Sequence, residues 1–129
     1  MQHDSDEITV LLIEDDETFA DMYRLRLELD GYRVIQARDG KAALEVAAAS
    51  HPDLIFLDIR LPLLDGLAVL EGLRADAGTR QTPVVILSNY GEQELVDRGL
   101  KLGALEYLIK SQTTPAHLSR GVENWLKEE

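Results

Sequence analysis

Five short apolar runs, each separated from the next by a stretch of helical periodicity, constrain this chain more than any other feature. The runs are Ile8 to Ile13, Arg33 to Ala37, Leu54 to Leu57, Val84 to Leu87 and Leu105 to Ile109. Arg33 to Ala37 is weaker and alternates, as a sheet edge would; the others are close to continuously apolar. A strand apolar at successive positions must be buried on both faces, which a parallel sheet covered by helices achieves. Pro52, Pro83 and Gly103 punctuate the chain just before three of the runs, which favours strands over buried helix segments. Between them, Phe19, Met22, Tyr23 and Leu27 mark one helical face, ended by Gly31. Ala43, Leu44 and Ala47 mark a second, opened by Asp39-Gly40, and Leu67, Leu70 and Leu73 a third. Leu95, Leu100 and Leu102 mark a fourth, interrupted by Gly99. Leu118, Val122, Trp125 and Leu126 mark the last, which Thr114 can cap with Pro115 at its first position. Strands alternating with helices imply right-handed crossovers and an α/β fold: a single doubly wound sheet of five parallel strands with five helices.

A chain of 129 residues holds one such domain, with no internal repeat or linker. Residues 1–7 read as a flexible acidic tail and residues 8–129 as the domain. The absence of cysteine excludes disulfides, thiolate metal sites and cysteine nucleophiles, and fits a reducing compartment. Met1 to Glu7 carries neither the basic nor the apolar part of a signal peptide, and no apolar run approaches membrane-spanning length. A cytoplasmic location is therefore expected, with no membrane insertion. With 13 basic against 24 acidic residues, a net charge of −11, direct binding to nucleic acid is not expected, because phosphate backbones demand a basic face. His3, His51 and His117 show no ligand spacing and are expected at the surface.

In open α/β sheets the functional crevice lies beyond the carboxyl ends of the strands. The first strand ends in Glu14-Asp15-Asp16, the third in Asp58, the fourth in Ser88 and the fifth in Lys110. Any one of these is a common turn or cap residue. Their convergence from four strand ends argues for a site. Carboxylates gathered this closely repel unless a cation intervenes, and hard oxygen donors with open water positions suit Mg²⁺. A carboxylate beside such an ion can accept a phosphoryl group, with Lys110 neutralising the transferred oxygens and the Ser88 hydroxyl donating to them.

These residues resemble the receiver domains of two-component response regulators over about residues 8 to 128. Leu11-Leu12-Ile13-Glu14-Asp15-Asp16 is similar to the family's first strand and acidic pair. Leu57-Asp58-Ile59-Arg60-Leu61-Pro62 with Asp65-Gly66 is similar to its acceptor loop. Pro83 to Ser88 resembles the strand bearing the switch hydroxyl, and Gly103 to Lys110 the strand bearing the switch aromatic and the lysine. The resemblance implies a flavodoxin-like strand order 2-1-3-4-5, with Asp58 as phosphoacceptor. Asp15 would bind Mg²⁺ directly, Glu14 directly or through water, and the backbone carbonyl of Arg60 would be a further ligand. Ser88 and Lys110 would assist at the phosphoryl group, and Ser88 and Tyr107 would form the switch. Asp16 is read instead as a cap of the first helix, where the dipole favours an anion. The implied upstream partner is a sensor histidine kinase or a histidine phosphotransfer protein. The implied downstream partner is a protein target, or a second copy, on the face of the fourth helix, fifth strand and fifth helix. The chain would not be a turnover enzyme; it would perform only Mg²⁺-assisted autophosphorylation and slow autodephosphorylation.

There are departures. Ser111 follows Lys110 where the family often has proline, and a trans bond is expected there. Asn89 and Tyr90 follow Ser88, and their bulk is expected to narrow access to the acceptor. Gly99 should weaken the fourth helix by about 1 kcal/mol relative to Ala and leave it soft enough to respond. Other readings are weaker. A phosphatase of the haloacid-dehalogenase type needs a second Asp two positions after the first, where this chain has Arg60. A flavin protein needs a Ser/Thr/Gly-rich loop after the first strand. A phosphorylation-independent binding module need not keep Asp15, Asp58, Ser88 and Lys110 together.

Overall fold

The apolar runs become β1 (Thr9–Ile13), β2 (Arg33–Ala37), β3 (Leu54–Leu57), β4 (Val84–Ser88) and β5 (Glu106–Ile109) in a computed structural model that describes residues 7–127. The segment read as a tail, apart from the exposed Glu7, and His3 lie outside the described residues. All pairings are parallel, in the order β2-β1-β3-β4-β5. The helices are α1 (Glu17–Leu29), α2 (Gly40–Ser50), α3 (Gly66–Ala75), α4 (Gln93–Lys101) and α5 (Pro115–Lys127). The expected doubly wound fold is the observed one.

Successive residues of a strand point to opposite faces, and the central strands supply two cores this way. Leu11, Ile13, Ile55, Leu57, Val84 and Ile86 pack with Ala43, Ala47, Leu70 and Leu73 on one side. Val10, Leu12, Leu54, Phe56, Val85 and Leu87 pack with Tyr23, Leu27, Leu118, Val122 and Trp125 on the other. Phe56 meets Trp125 edge to face at 5.6 Å. The two faces thus carry α2, α3 and α4 on one side and α1 and α5 on the other. Among the described residues no helix is long and apolar enough to cross a membrane.

Side chains in the loops that follow the strands cap the helices. Asp16 accepts from the amides of Thr18 and Phe19 at 2.9 and 3.3 Å. Asp39 accepts from Ala42 at 2.7 Å, Asp65 from Ala68 at 3.0 Å, and the Thr114 hydroxyl from His117 at 3.0 Å. These bonds satisfy amides that a helix start leaves unpaired, whereas Glu92 at the start of α4 makes no side-chain cap bond. Gly31, at φ +98°, takes the left-handed turn that ends α1.

Several expectations need correction. Met22 is 41 % exposed: the buried stripe of α1 is Ala20, Tyr23 and Leu27, and Met22 lies a helical step to its side. Leu100 is 44 % exposed, and α4 is fully buried only at Gly99. A Cβ there would lie 2.5 Å from Ile86 Cδ1 and 3.5 Å from the Tyr107 ring, so Gly99 is where α4 sits down on the sheet. β2 does not alternate in burial; its three middle residues are all half-buried, because an edge strand is covered incompletely on both faces. The first run begins its strand at Thr9 rather than Ile8, and the last at Glu106 rather than Leu105, although the Leu105 amide already bonds to the Val84 carbonyl at 2.8 Å.

Two polar ties fasten helices from outside the cores. Ser119 on α5 donates to Asp30 Oδ2 at 2.5 Å, and Arg26 Nε donates to the same oxygen at 3.0 Å. At the amino ends of the strands, Arg74 on α3 donates to the carbonyls of Thr79, Arg80, Thr82 and Gly103 at 2.9–3.4 Å. Burial lowers its pKa from the ordinary arginine value, and carbonyl dipoles rather than a carboxylate receive its donors.

Gly66 sets the distance between α3 and the end of β3. Its amide donates to the Ile59 carbonyl at 2.7 Å, and a Cβ would lie 2.2 Å from the Asp58 carbonyl oxygen and 2.6 Å from Ile59 Cα. Both neighbours are backbone and cannot rotate away. Gly66→Ala is therefore expected to cost about 1–3 kcal/mol, the usual range for overpacking, read as a lower midpoint of urea unfolding; an unchanged midpoint would contradict the close approach.

Candidate functional site

The carboxyl ends of β1, β3, β4 and β5 open on one pole of the sheet, and the polar residues buried there are Glu14, Asp58, Ser88 and Lys110. Glu14 follows β1 because its amide bonds to the Ala37 carbonyl at 3.0 Å, and Asp58 follows β3 because its amide bonds to the Ile13 carbonyl at 3.0 Å. Strand pairing therefore fixes both backbones before their side chains are considered. Lys110 enters from the end of β5 as the first residue of a single 3-10 turn, Lys110–Gln112. No peptide bond among the described residues is cis, so the bond after Lys110 is trans as expected.

The Lys110 ammonium lies 2.5 Å from Glu14 Oε1 and 3.2 Å from Asp58 Oδ2, with all three side chains no more than 7 % exposed. It donates a hydrogen bond to Asp58. Toward Glu14 it is close but outside hydrogen-bond geometry, which leaves Oε1 as the buried side-chain oxygen without a hydrogen-bond partner among the described residues. The other oxygen, Oε2, accepts from the Asp16 amide at 3.0 Å. Burial pushes the Glu14 carboxyl up to about 7; Lys110 opposes the rise and the Asp58 charge adds to it. Burial alone would lower the pKa of Lys110, but the Glu14 and Asp58 carboxylates outweigh it and hold it above the ordinary lysine value. The ammonium stays charged, and burial works against the charge of Glu14.

Carboxylate oxygens of Glu14, Asp15 and Asp58 come within 4.8 Å of one another. The Asp15 side chain is exposed and faces water, while Asp16 is turned away to its cap. An all-oxygen donor set, with one donor open to solvent and two buried, fits a hard divalent cation such as Mg²⁺ that keeps several of its waters.

Ser88 and Tyr107 both hold the backbone of Tyr90. The Tyr90 amide donates to Ser88 Oγ at 3.0 Å, and the Tyr107 hydroxyl donates to the Tyr90 carbonyl. The Tyr107 ring is half-buried, and burial raises its pKa. Asp58 has a matching local bond, accepting from the Arg60 amide at 3.3 Å. The Arg60 guanidinium lies over the Tyr90 ring at 4.3 Å from its centroid. The residues two positions past Asp58 and two past Ser88 thus meet across the mouth of the site. His51 and His117 are exposed, as expected.

The structure brings Glu14, Asp15, Asp58 and Lys110 into one cluster and places Ser88 at the end of β4 and Tyr107 on β5, both bonded to the Tyr90 backbone. The bonds through the Tyr90 backbone, the Arg60–Tyr90 contact and a contact between Lys110 and Phe19 escaped the sequence reading. The first two join residues with no periodic relation, and Phe19 reads simply as a helix-face aromatic.

The architecture recurs in known proteins. A family described as the response regulator receiver domain matches residues 10–122. The DNA-binding dual master transcriptional regulator RpaA of Synechocystis is 38 % identical over 111 residues, covering 86 % of this chain and 46 % of that protein; this chain spans less than half the length of that relative. The polar-differentiation response regulator DivK of Brucella ovis is 34 % identical over 110 residues, covering 83 % of this chain and 87 % of that protein. The receiver domain of a sensor histidine kinase from Pseudomonas aeruginosa, crystallised with a magnesium ion coordinated in its active-site cleft, superposes with a TM-score of 0.85 at 30 % identity, covering 94 % of this chain and 98 % of that one. With the family matched along most of its length and the same architecture in its solved relatives, the chain belongs to the response regulator receiver domains of two-component signalling.

Proposed function

We propose that this domain accepts a phosphoryl group on Asp58 from a phosphorylated histidine and changes conformation in response. The observation that carries the proposal is the buried Lys110 ammonium, 3.2 Å from Asp58, beside three carboxylates within 4.8 Å of one another. That arrangement has one nucleophilic carboxylate, one fixed cation and donors for a second cation. An Asp58 oxygen attacks phosphorus in line with the departing imidazole nitrogen; the O–P bond forms as the P–N bond breaks. Glu14, Asp15 and Asp58, with the Arg60 carbonyl, would hold Mg²⁺, which supplies the charge neutralisation that phosphoryl oxygens need against a carboxylate nucleophile. Lys110 pairs with a transferred oxygen, and Ser88 donates to another once its bond from the Tyr90 amide is given up.

Transfer adds charge and acceptor oxygens at Asp58. Movement of Ser88 toward them releases the Tyr90 amide and disturbs the carbonyl on which the Tyr107 hydroxyl rests. The half-buried ring then has two positions of comparable energy available, and the face of α4, β5 and α5 carries the difference. A sensor histidine kinase or phosphotransfer protein is the upstream partner, and a protein target or a second copy of the chain on that face is the downstream one. The excess of acidic residues is against direct contact with nucleic acid. The chain acts as a phosphorylated switch rather than as a turnover enzyme.

Incubation with acetyl phosphate and Mg²⁺ should add one acid-labile phosphoryl group per chain, and Asp58→Asn should remove it; equal labelling of the variant would overturn the assignment. Asp15→Ala should weaken Mg²⁺ binding by about tenfold or more, measured by titration, with Asp16→Ala having a much smaller effect because that side chain is committed to its cap; the opposite order would move the ligand one residue along. Tyr90→Ala and Arg60→Ala should each speed loss of the phosphoryl group by about two- to fivefold, the factor set by an exposed cation–π contact. The double variant should add little to either. Unchanged lifetimes would show that the pair does not restrict water.

A further inference from the structure

We propose that Phe19 is a positioning residue for Lys110, its ring face holding the ammonium at the mouth of the site when the carboxylates are engaged elsewhere. The inference deepens the reading of Lys110 given above and rests on it. The Lys110 ammonium lies 4.7 Å from the centroid of the Phe19 ring, within the range of attraction between a cation and an aromatic face. Its other charged contacts are Glu14 and Asp58, and both belong to the acidic cluster. Once these oxygens hold a cation, and before a phosphoryl group reaches Asp58, the ammonium loses part of both contacts and gains a like-charged neighbour. The ring face is the partner it keeps. An uncharged partner serves here because it attracts the ammonium without competing for the metal.

Phe19 is held for this task from both ends. Its amide donates to the Asp16 cap at 3.3 Å, so the residue next to the acidic pair also fixes the ring's backbone. Its ring stacks on Tyr23, one helical turn on, with centroids 6.1 Å apart and planes within 18°. Tyr23 is 1 % exposed, and its hydroxyl donates to the Thr113 carbonyl at 3.2 Å. The Thr113 hydroxyl in turn donates to the Ile109 carbonyl at 2.8 Å. The Phe19–Tyr23 stack therefore grips the turn that carries Lys110 at both its backbone and its ammonium. Burial raises the Tyr23 phenol to about 12, with the Glu14 charge adding to it, so its hydroxyl remains a donor throughout the neutral range.

The test compares Phe19→Leu, which keeps an apolar side chain and loses the π face, with Phe19→Tyr, which keeps the face. In the metal-free protein the Lys110 ε-methylene resonances should be shifted upfield by the ring current, should keep that shift in Phe19→Tyr and lose it in Phe19→Leu. With acetyl phosphate and saturating Mg²⁺, Phe19→Leu should take up phosphoryl about tenfold more slowly, a factor between those of an exposed and a desolvated cation–π contact, and Phe19→Tyr should restore the rate. Mg²⁺ affinity and the urea midpoint of Phe19→Leu, measured in parallel, should change far less than the rate. An unshifted Lys110 resonance in the parent protein, or equal rates for Phe19→Leu and the parent, would overturn the proposal. So would a rate loss that Phe19→Tyr fails to restore. A parent protein that takes no phosphoryl group at all would instead overturn the function proposed for Asp58, and the resonance comparison would still decide where Phe19 holds the ammonium.

Discussion

One ammonium buried between two carboxylates is the constraint around which the rest of this domain is arranged. A buried ion pair contributes little net stability, since desolvation consumes most of the attraction, yet removing one partner leaves an uncompensated buried charge that costs about 3–5 kcal/mol. Lys110, Glu14 and Asp58 therefore have to arrive together, from three different strands, within a fraction of an ångström. A parallel sheet accomplishes this because its hydrogen-bond ladder fixes where each strand ends: Ile13 and Leu57 are paired in register, and the residues following them face each other. The triad also carries one ammonium against two buried carboxylates, an excess of negative charge that a second cation can relieve. The ground state of the site is thus one lysine doing provisional duty against the charge that a metal and a phosphoryl group would otherwise organise.

The acids around the site divide sharply by task. Asp16, Asp39 and Asp65 follow strands, as Asp15 and Asp58 do, but their side chains turn back onto helix amides. Capping removes them from the pool of potential ligands and at the same time orients the first turns of α1, α2 and α3. A similar economy holds on the other side of the pole. The backbone of Tyr90 serves Ser88 through its amide and Tyr107 through its carbonyl, so two side chains on different strands share a single peptide segment as their common rest position.

Much of this was legible in the chain itself, for a definite reason. Leu54 to Leu57 has no polar position and is buried at every residue, a pattern that admits few architectures; once the strands are placed, the residues following them are placed too. What periodicity could not supply was the width of each buried stripe. Met22 and Leu100 fit a helical spacing and are nonetheless exposed, because the helix beside each of them covers only part of the turn. Nor could spacing reveal contacts between side chains on unrelated elements. Phe19 reads as core, and only its place over an ammonium from β5 gives it a second role. Gly99 admits two readings in the sequence, a weakened helix or a close packing contact, and only its place against Ile86 and Tyr107 shows the second.

The guanidinium of Arg74 gives the molecule a fixed end. It ties the loop before β4 and the loop before β5 to α3 through carbonyl acceptors, none of which titrates. Added salt screens ion pairs between exposed charges but has little hold on donors bonded to backbone oxygens, and acid leaves both sides of these bonds unchanged. β4 and β5, whose far ends carry Ser88 and Lys110, are therefore clamped at their origins like reeds in a block. Any displacement of their tips would be a bend about a held root instead of a slide of whole strands, and would spare the register of the sheet.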